Sequence, residues 1–193
     1  VLLLAVAAPV QAERAIGQRF VVNTNGDIAL IGNAILTCPP GAVSDIAPNP
    51  RCETTLAGGS SAGDRNDGYT MQYIDIDSDA STFSSSSANL NIPAGSSVLF
   101  AGLYWSGISA DAARSQVLLR TPVSFGYSVT TASVLDTSPF RTNSYQGYAN
   151  VTAQVAAAGN GTYTVANVQT TPGGGNYGAW GMVVVYQNNS QSL

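Results

Sequence analysis

A chain of 193 residues with eleven acidic and seven basic side chains has a net charge of −4, and its cations are all arginines scattered singly. No basic patch is available to hold a phosphate backbone, which excludes nucleic acid as an expected partner. Histidine and lysine are absent altogether, which removes Ser-His-Asp, Cys-His, Ser-Lys and Schiff-base chemistry, and the chain is read as no enzyme.

Charged residues make up only 9% of the chain, against about 25% in an ordinary soluble protein, and Gly, Ser, Thr and Asn are plentiful. That composition suits an extracellular β protein. Val1 to Ala12 is an apolar run ending in Val10-Gln11-Ala12 before the charged pair Glu13-Arg14. It reads as the rear of a secretory signal peptide, too short to span a membrane, so no membrane span is expected in the mature segment. Residues 13–193 are then expected to form a single β-sandwich domain.

Arg19 to Thr24 and Asp27 to Ile31 flank Asn25-Gly26, a dipeptide that tolerates positive φ and predicts a two-residue type I′ hairpin. From Thr37 to Gly68 the chain is rich in Pro, Gly, Ser and Asp and predicts a long loop. Cys38 and Cys52 lie in it with no third thiol and no histidine to compete for them. In an oxidising compartment they predict a disulfide.

Further strands are predicted over Tyr69–Ile76, Ala88–Ile92, Ser97–Trp105, Gln116–Arg120, Gly126–Leu135, Gly161–Gln169 and Ala179–Tyr186. Ser97–Trp105 is apolar on both faces, so it is placed centrally in its sheet with further chain over its outer face. The two most apolar runs nominate Leu99, Leu103, Val183 and Val185 as core, each worth about 1.5–3 kcal/mol on burial. A short helix is predicted over Val151–Ala158, entered from Asn150 and left at Gly159. Many short strands with turn residues between them predict an all-β fold, a two-sheet β-sandwich with one short helix, for which a jelly-roll-like arrangement is one option.

The stretch from Arg19 to Cys38, read with Tyr73–Asp79, Leu103-Tyr104-Trp105-Ser106-Gly107, Thr162–Val168 and Gly178–Tyr186, resembles the N-terminal β-sandwich module of large, repeat-bearing bacterial cell-surface proteins, some labelled adhesin-like or gliding-motility proteins. The resemblance covers nearly the whole mature chain. It implies a secreted or cell-surface location in a bacterium and a chain that continues past Leu193. The implied partners are downstream repeats of the same polypeptide, with a glycan or another surface protein as ligand. It brings no catalytic residues.

One chemically pointed feature remains. Asp64, Asp67, Asp75, Asp77 and Asp79 fall within sixteen residues. With Asn66 and backbone carbonyls they make a hard-oxygen set that would suit Ca²⁺ if any cofactor binds. A solvated acidic loop is the plainer reading. On a strand, Asp75 and Asp77 would share a face about 6.5–7 Å apart, and a glycosidase or lyase working through the Asp cluster is the last-ranked reading. Tyr104, Trp105, Tyr177 and Trp180 are candidates for a sugar-stacking platform, although tryptophans set among Val, Leu and Met belong more often to a core. Asn150, Asn160 and Asn188 head Asn-X-Ser/Thr triplets. The sequence therefore favours a non-enzymatic structural or adhesive module, with a calcium-assisted carbohydrate-binding module as the alternative.

Overall fold

The computed structural model describes residues 17–191 apart from positions 60 and 62; Val1–Ala12, the run expected to be the rear of a signal peptide, lies outside the described residues. Nine strands build two facing antiparallel sheets, and two more make a small ribbon. In chain order they are β1 (Gly26–Ala34), β2 (Leu36–Thr37), β3 (Gln72–Tyr73), β4 (Ser85–Leu90), β5 (Ser97–Ile108), β6 (Gln116–Arg120), β7 (Ser128–Thr131), β8 (Val134–Thr137), β9 (Ser144–Asn150), β10 (Gly161–Ala166) and β11 (Gly178–Gln187). One sheet runs β1-β11-β5-β9-β8 and the other β4-β10-β6-β7, with β2 and β3 paired apart.

With β2, β3 and β8 set aside and the rest numbered along the chain, the sheets read 1-8-3-6 and 2-7-4-5. That is the jelly-roll order, in which four antiparallel pairs fold over together. Here the pairs are β1 with β11, β4 with β10, β5 with β9 and β6 with β7.

As its two apolar faces predict, β5 is the middle strand of its sheet. Ala101, Leu103 and Trp105 point inward and are buried, facing Trp180, Met182 and Val184 from β11 and Val117, Leu119, Tyr163 and Val165 from the opposing sheet. The other face is also partly covered, because Phe20 stacks on Phe100 with ring centroids 5.3 Å apart and Arg19 lies 4.6 Å over the Tyr148 ring.

Several readings need correction. Of the four nominated core residues only Leu103 is fully buried; Val183 and Val185 are half-buried on the outer face, and Leu99 occupies the bulge where the β5–β11 register shifts. Alternation could not choose the inward face because both faces are apolar. The Asn25-Gly26 hairpin does not form. Asn25 is not at positive φ, as a type I′ turn demands, and it serves another contact: its amide bonds Gln191 and its carbonyl accepts from Asn188. β1 pairs instead with β11 over nine residues.

The predicted strand Tyr69–Ile76 shrinks to β3, and Gly126–Leu135 divides into β7 and β8, which belong to different sheets. β9 was not read from the sequence. The predicted helix is α2 (Thr152–Ala158), with the Asn150 carboxamide accepting from Thr152 N at 3.0 Å and Gly159 leaving at φ 65°. A five-residue turn, α1 (Cys52–Leu56), lies within the long loop.

Gly147 lies in β9 directly beside Trp105, and a Cβ there would sit 2.3 Å from the indole Cε2. No flexible end can yield at that point, since the indole is a rigid ring held in the core. Gly147→Ala is expected to lower unfolding free energy by about 1–3 kcal/mol through overpacking, measured by urea denaturation; an unchanged midpoint would contradict this packing.

Candidate functional site: the loop end of the jelly roll

The topology sends four connections to one end of the sandwich. They are the segment from β1 to β4, the β5–β6 link, the β8–β9 loop and the β10–β11 loop. Their convergence shows in cross-contacts. Asn66 Nδ2 donates to Asn176 O at 3.1 Å and Arg141 Nη2 to Gly175 O at 2.6 Å, while Ser109 N donates to Asn143 O at 2.8 Å and Tyr145 OH to Gln169 O at 2.8 Å.

The disulfide anchors the largest of these segments. Cys38 and Cys52 are bonded, with Cα atoms 5.7 Å apart. Around them Leu36, Tyr69 and Met71 pack into a second, smaller core with its own buried contacts. Tyr69 OH donates to Pro50 O at 3.0 Å and also meets Thr55 Oγ1 at 2.7 Å. Beside this core a notch of about 240 Å³ opens, walled by Pro39, Val43 and Tyr69 with Asp45, Asp67 and Gly174 at its sides. It is smaller than the 300–1,000 Å³ of most small-molecule pockets.

The five predicted carboxylates are not brought together. Among the described residues no three His, Cys, Asp or Glu side chains form a group that could hold a metal ion. Asp64 accepts from Thr55 Oγ1 and Ser61 N, and these bonds hold its carboxyl below the usual range. Asp67 lines the notch and pairs with Arg65 at 3.5 Å, in water. Asp75 accepts from Ser85 Oγ at 2.7 Å. Asp79 accepts from the hydroxyl and backbone N–H of Ser81, which lower its pKa. The chain from Ile74 to Asp79 is not a strand, so Asp75 and Asp77 do not form the shared-face pair that a strand would have supplied.

Asp77 has the most elaborate surroundings. Burial alone would raise its pKa, but bonds from Tyr127 OH, Asp79 N and Thr82 Oγ1, with the Arg120 guanidinium 3.8 Å away, outweigh that and lower it. Arg120 also lies 4.9 Å over the Tyr127 ring. These contacts clamp the loop before β4 onto the β6–β7 hairpin. Tyr127 and Arg120 were not singled out from the sequence, since they lie some fifty positions from Asp77 and nothing local links them.

The four aromatics do not form a platform. Trp105 and Trp180 are core, 1% and 4% exposed, with indole N–H groups bonded to Arg114 O and Ser86 Oγ. Tyr104 packs on Tyr148 across the outer sheet face, and only Tyr177 stands at the loop end, under Arg141. All three triplet asparagines make side-chain hydrogen bonds in the fold, Asn150 as the acceptor at the start of α2. Asn160 makes paired bonds to the backbone of Ile92, and Asn188 is buried against Ala94 O and Ser96 Oγ.

No family model, curated protein or solved structure matches this chain.

Tyr127→Phe removes the strongest donor to Asp77 and should lift its pKa toward the ordinary value. A carboxylate with a depressed folded pKa stabilises fully above its unfolded value of about 3.9, and that contribution is lost as pH falls through the folded value. The stability gap between the native chain and Tyr127→Phe should therefore be widest near about pH 7 and narrow toward about pH 2. Urea denaturation at both pH values measures it; a gap independent of pH would contradict the charged clamp.

Proposed function

We propose that this chain is a non-enzymatic structural or adhesive module of an exported bacterial surface protein. The observation that carries the reading is the disulfide loop with its own small core. A cross-link that closes a surface segment persists in an oxidising compartment and not in a reducing cytosol. Two further features support it. The connections at the loop end are tied to one another by backbone and side-chain bonds, which suits a surface built to present itself rather than to open and close. Among the described residues no helix is long and apolar enough to cross a membrane. The downstream repeats implied by the resemblance would be its neighbours in the same polypeptide.

The jelly-roll order is shared with many lectin domains, and it favours a second reading, a carbohydrate-binding module. Such a module would have to use the loop end, because both tryptophans are spent in the core. Calcium would then act through Asp67 or a neighbour rather than through a five-aspartate site.

Intact producing cells provide the test. The surface reading expects external protease to remove the chain, and expects thiol alkylation to leave Cys38 and Cys52 unmodified until a reductant is added. Deletion of residues 26–191 should impair attachment or surface assembly. A protease-protected chain with both thiols free would overturn the reading. Glycan-array binding that requires calcium would move the assignment to the second.

A further inference from the structure

The outer edge of β1 is a nine-residue strand edge with no described strand paired to it. Natural proteins guard such edges with lysine, proline, bulges or brevity, because an open row of N–H and C=O groups templates pairing with another chain. None of those four is present, although β4 of the other sheet reaches β1 at one end, where Asn33 Nδ2 donates to Ser87 O at 2.9 Å. The register of β1 with β11 is unbroken, and Gly26–Ala34 contains neither lysine nor proline.

The direction of each backbone group follows from one bond. Ile35 N donates to Gly178 O in the β11 direction, so by alternation Ile28, Leu30, Gly32 and Ala34 turn their N–H groups to the open side. The two outer positions are shielded: Ile28 N donates to the Asp27 carboxylate at 2.7 Å and Ala34 N to the Asn33 carboxamide at 2.8 Å. Leu30 and Gly32, in the middle, have no such cover among the described residues. The side chains alongside are apolar and open, with Ile28 57% and Leu30 73% exposed.

We propose that this edge is a self-association site, where two copies pair their β1 strands antiparallel about a twofold axis through Leu30 and join their five-stranded sheets into one continuous sheet. Leu30 is the midpoint of Gly26–Ala34, so this register uses the whole strand. It sets Leu30 against Leu30 of the second copy and Ile28 against Gly32, which buries the exposed leucines and isoleucines in one cluster. The only charge in the strand, Asp27, falls opposite Asn33 and never opposite itself. Like charges face each other nowhere in the ladder, which is the condition that a net-negative chain must meet to pair with its own copy.

Sedimentation of the oxidised protein over a concentration series tests this. A reversible dimer is expected, and Leu30→Lys, a change at an exposed position that places two ammonium groups face to face, should return the protein to monomer with its thermal midpoint kept. Leu30→Cys should form an intermolecular disulfide under mild oxidation, while Val129→Cys, equally open on the other sheet, should not. A native chain that stays monomeric up to its solubility limit overturns the proposal, even if it accepts a strand from a different protein. Dimers that survive Leu30→Lys, or equal cross-linking by the two cysteine variants, overturn it as well.

Discussion

Trp105 and Trp180 stand directly opposite each other in the β5–β11 ladder, and each indole is both buried and bonded through its N–H. The two bonds leave the sheet in different directions. Trp180 reaches Ser86 in β4, across the sandwich, and Trp105 reaches the Arg114 carbonyl in the link that carries the chain from one sheet to the other. One cross-strand pair thus fixes both the stacking of the sheets and the path of a connection. Truncation of either ring would cost about 3–5 kcal/mol in lost burial and cavity, a large part of the 5–15 kcal/mol that separates most folded domains from unfolded chains. Gly147 is glycine because the Trp105 ring lies where its Cβ would be.

From this centre the rest of the architecture follows by topology. Four antiparallel pairs folded over together leave four connections at one end, and the longest of them is too polar and too rich in proline to join either sheet. It is held instead by the Cys38–Cys52 bond and by a second core around Tyr69 and Met71. The clustered aspartates of this one connection act as local fasteners. Asp64 ties the turn at Ser61 to α1, Asp75 ties the loop to Ser85, Asp77 ties it to Tyr127 and Arg120, and Asp79 closes its own turn on Ser81. Their density in the sequence reflects the length of loop that has to be tied down rather than a common centre.

What the sequence made legible was whatever rests on local chemistry. Two cysteines without competitors meant a disulfide, apolar faces on both sides of Ser97–Trp105 meant a central strand, and Asn150 with Gly159 bounded a helix. Choices made by tertiary pairing were not legible. The Asn25-Gly26 dipeptide fits a hairpin, but β11 offers the following strand a nine-residue apolar partner and takes it. Ser144–Asn150 reads as polar chain with scattered tyrosines, yet Tyr145, Tyr148 and Ala149 are buried against β5. The inward parity of β5 and β11 was hidden because Phe100 and Tyr104, on the outside, are as apolar as Leu103 on the inside. The five aspartates looked like a centre because spacing along a chain carries no information about where a loop without strand geometry directs each side chain.

Native-state hydrogen exchange, resolved by residue, addresses the central claim most directly. If the Trp105–Trp180 ladder holds the fold, amides across Leu103–Trp105 and Trp180–Val184 should exchange only through global unfolding, and should keep that protection when Cys38–Cys52 is reduced. Amides from Cys38 to Met71 should open at lower free energy and lose most of their protection on reduction. Greater protection in the disulfide loop than in β5 and β11, or loss of ladder protection on reduction, would show that the staple and not the tryptophan pair carries the structure.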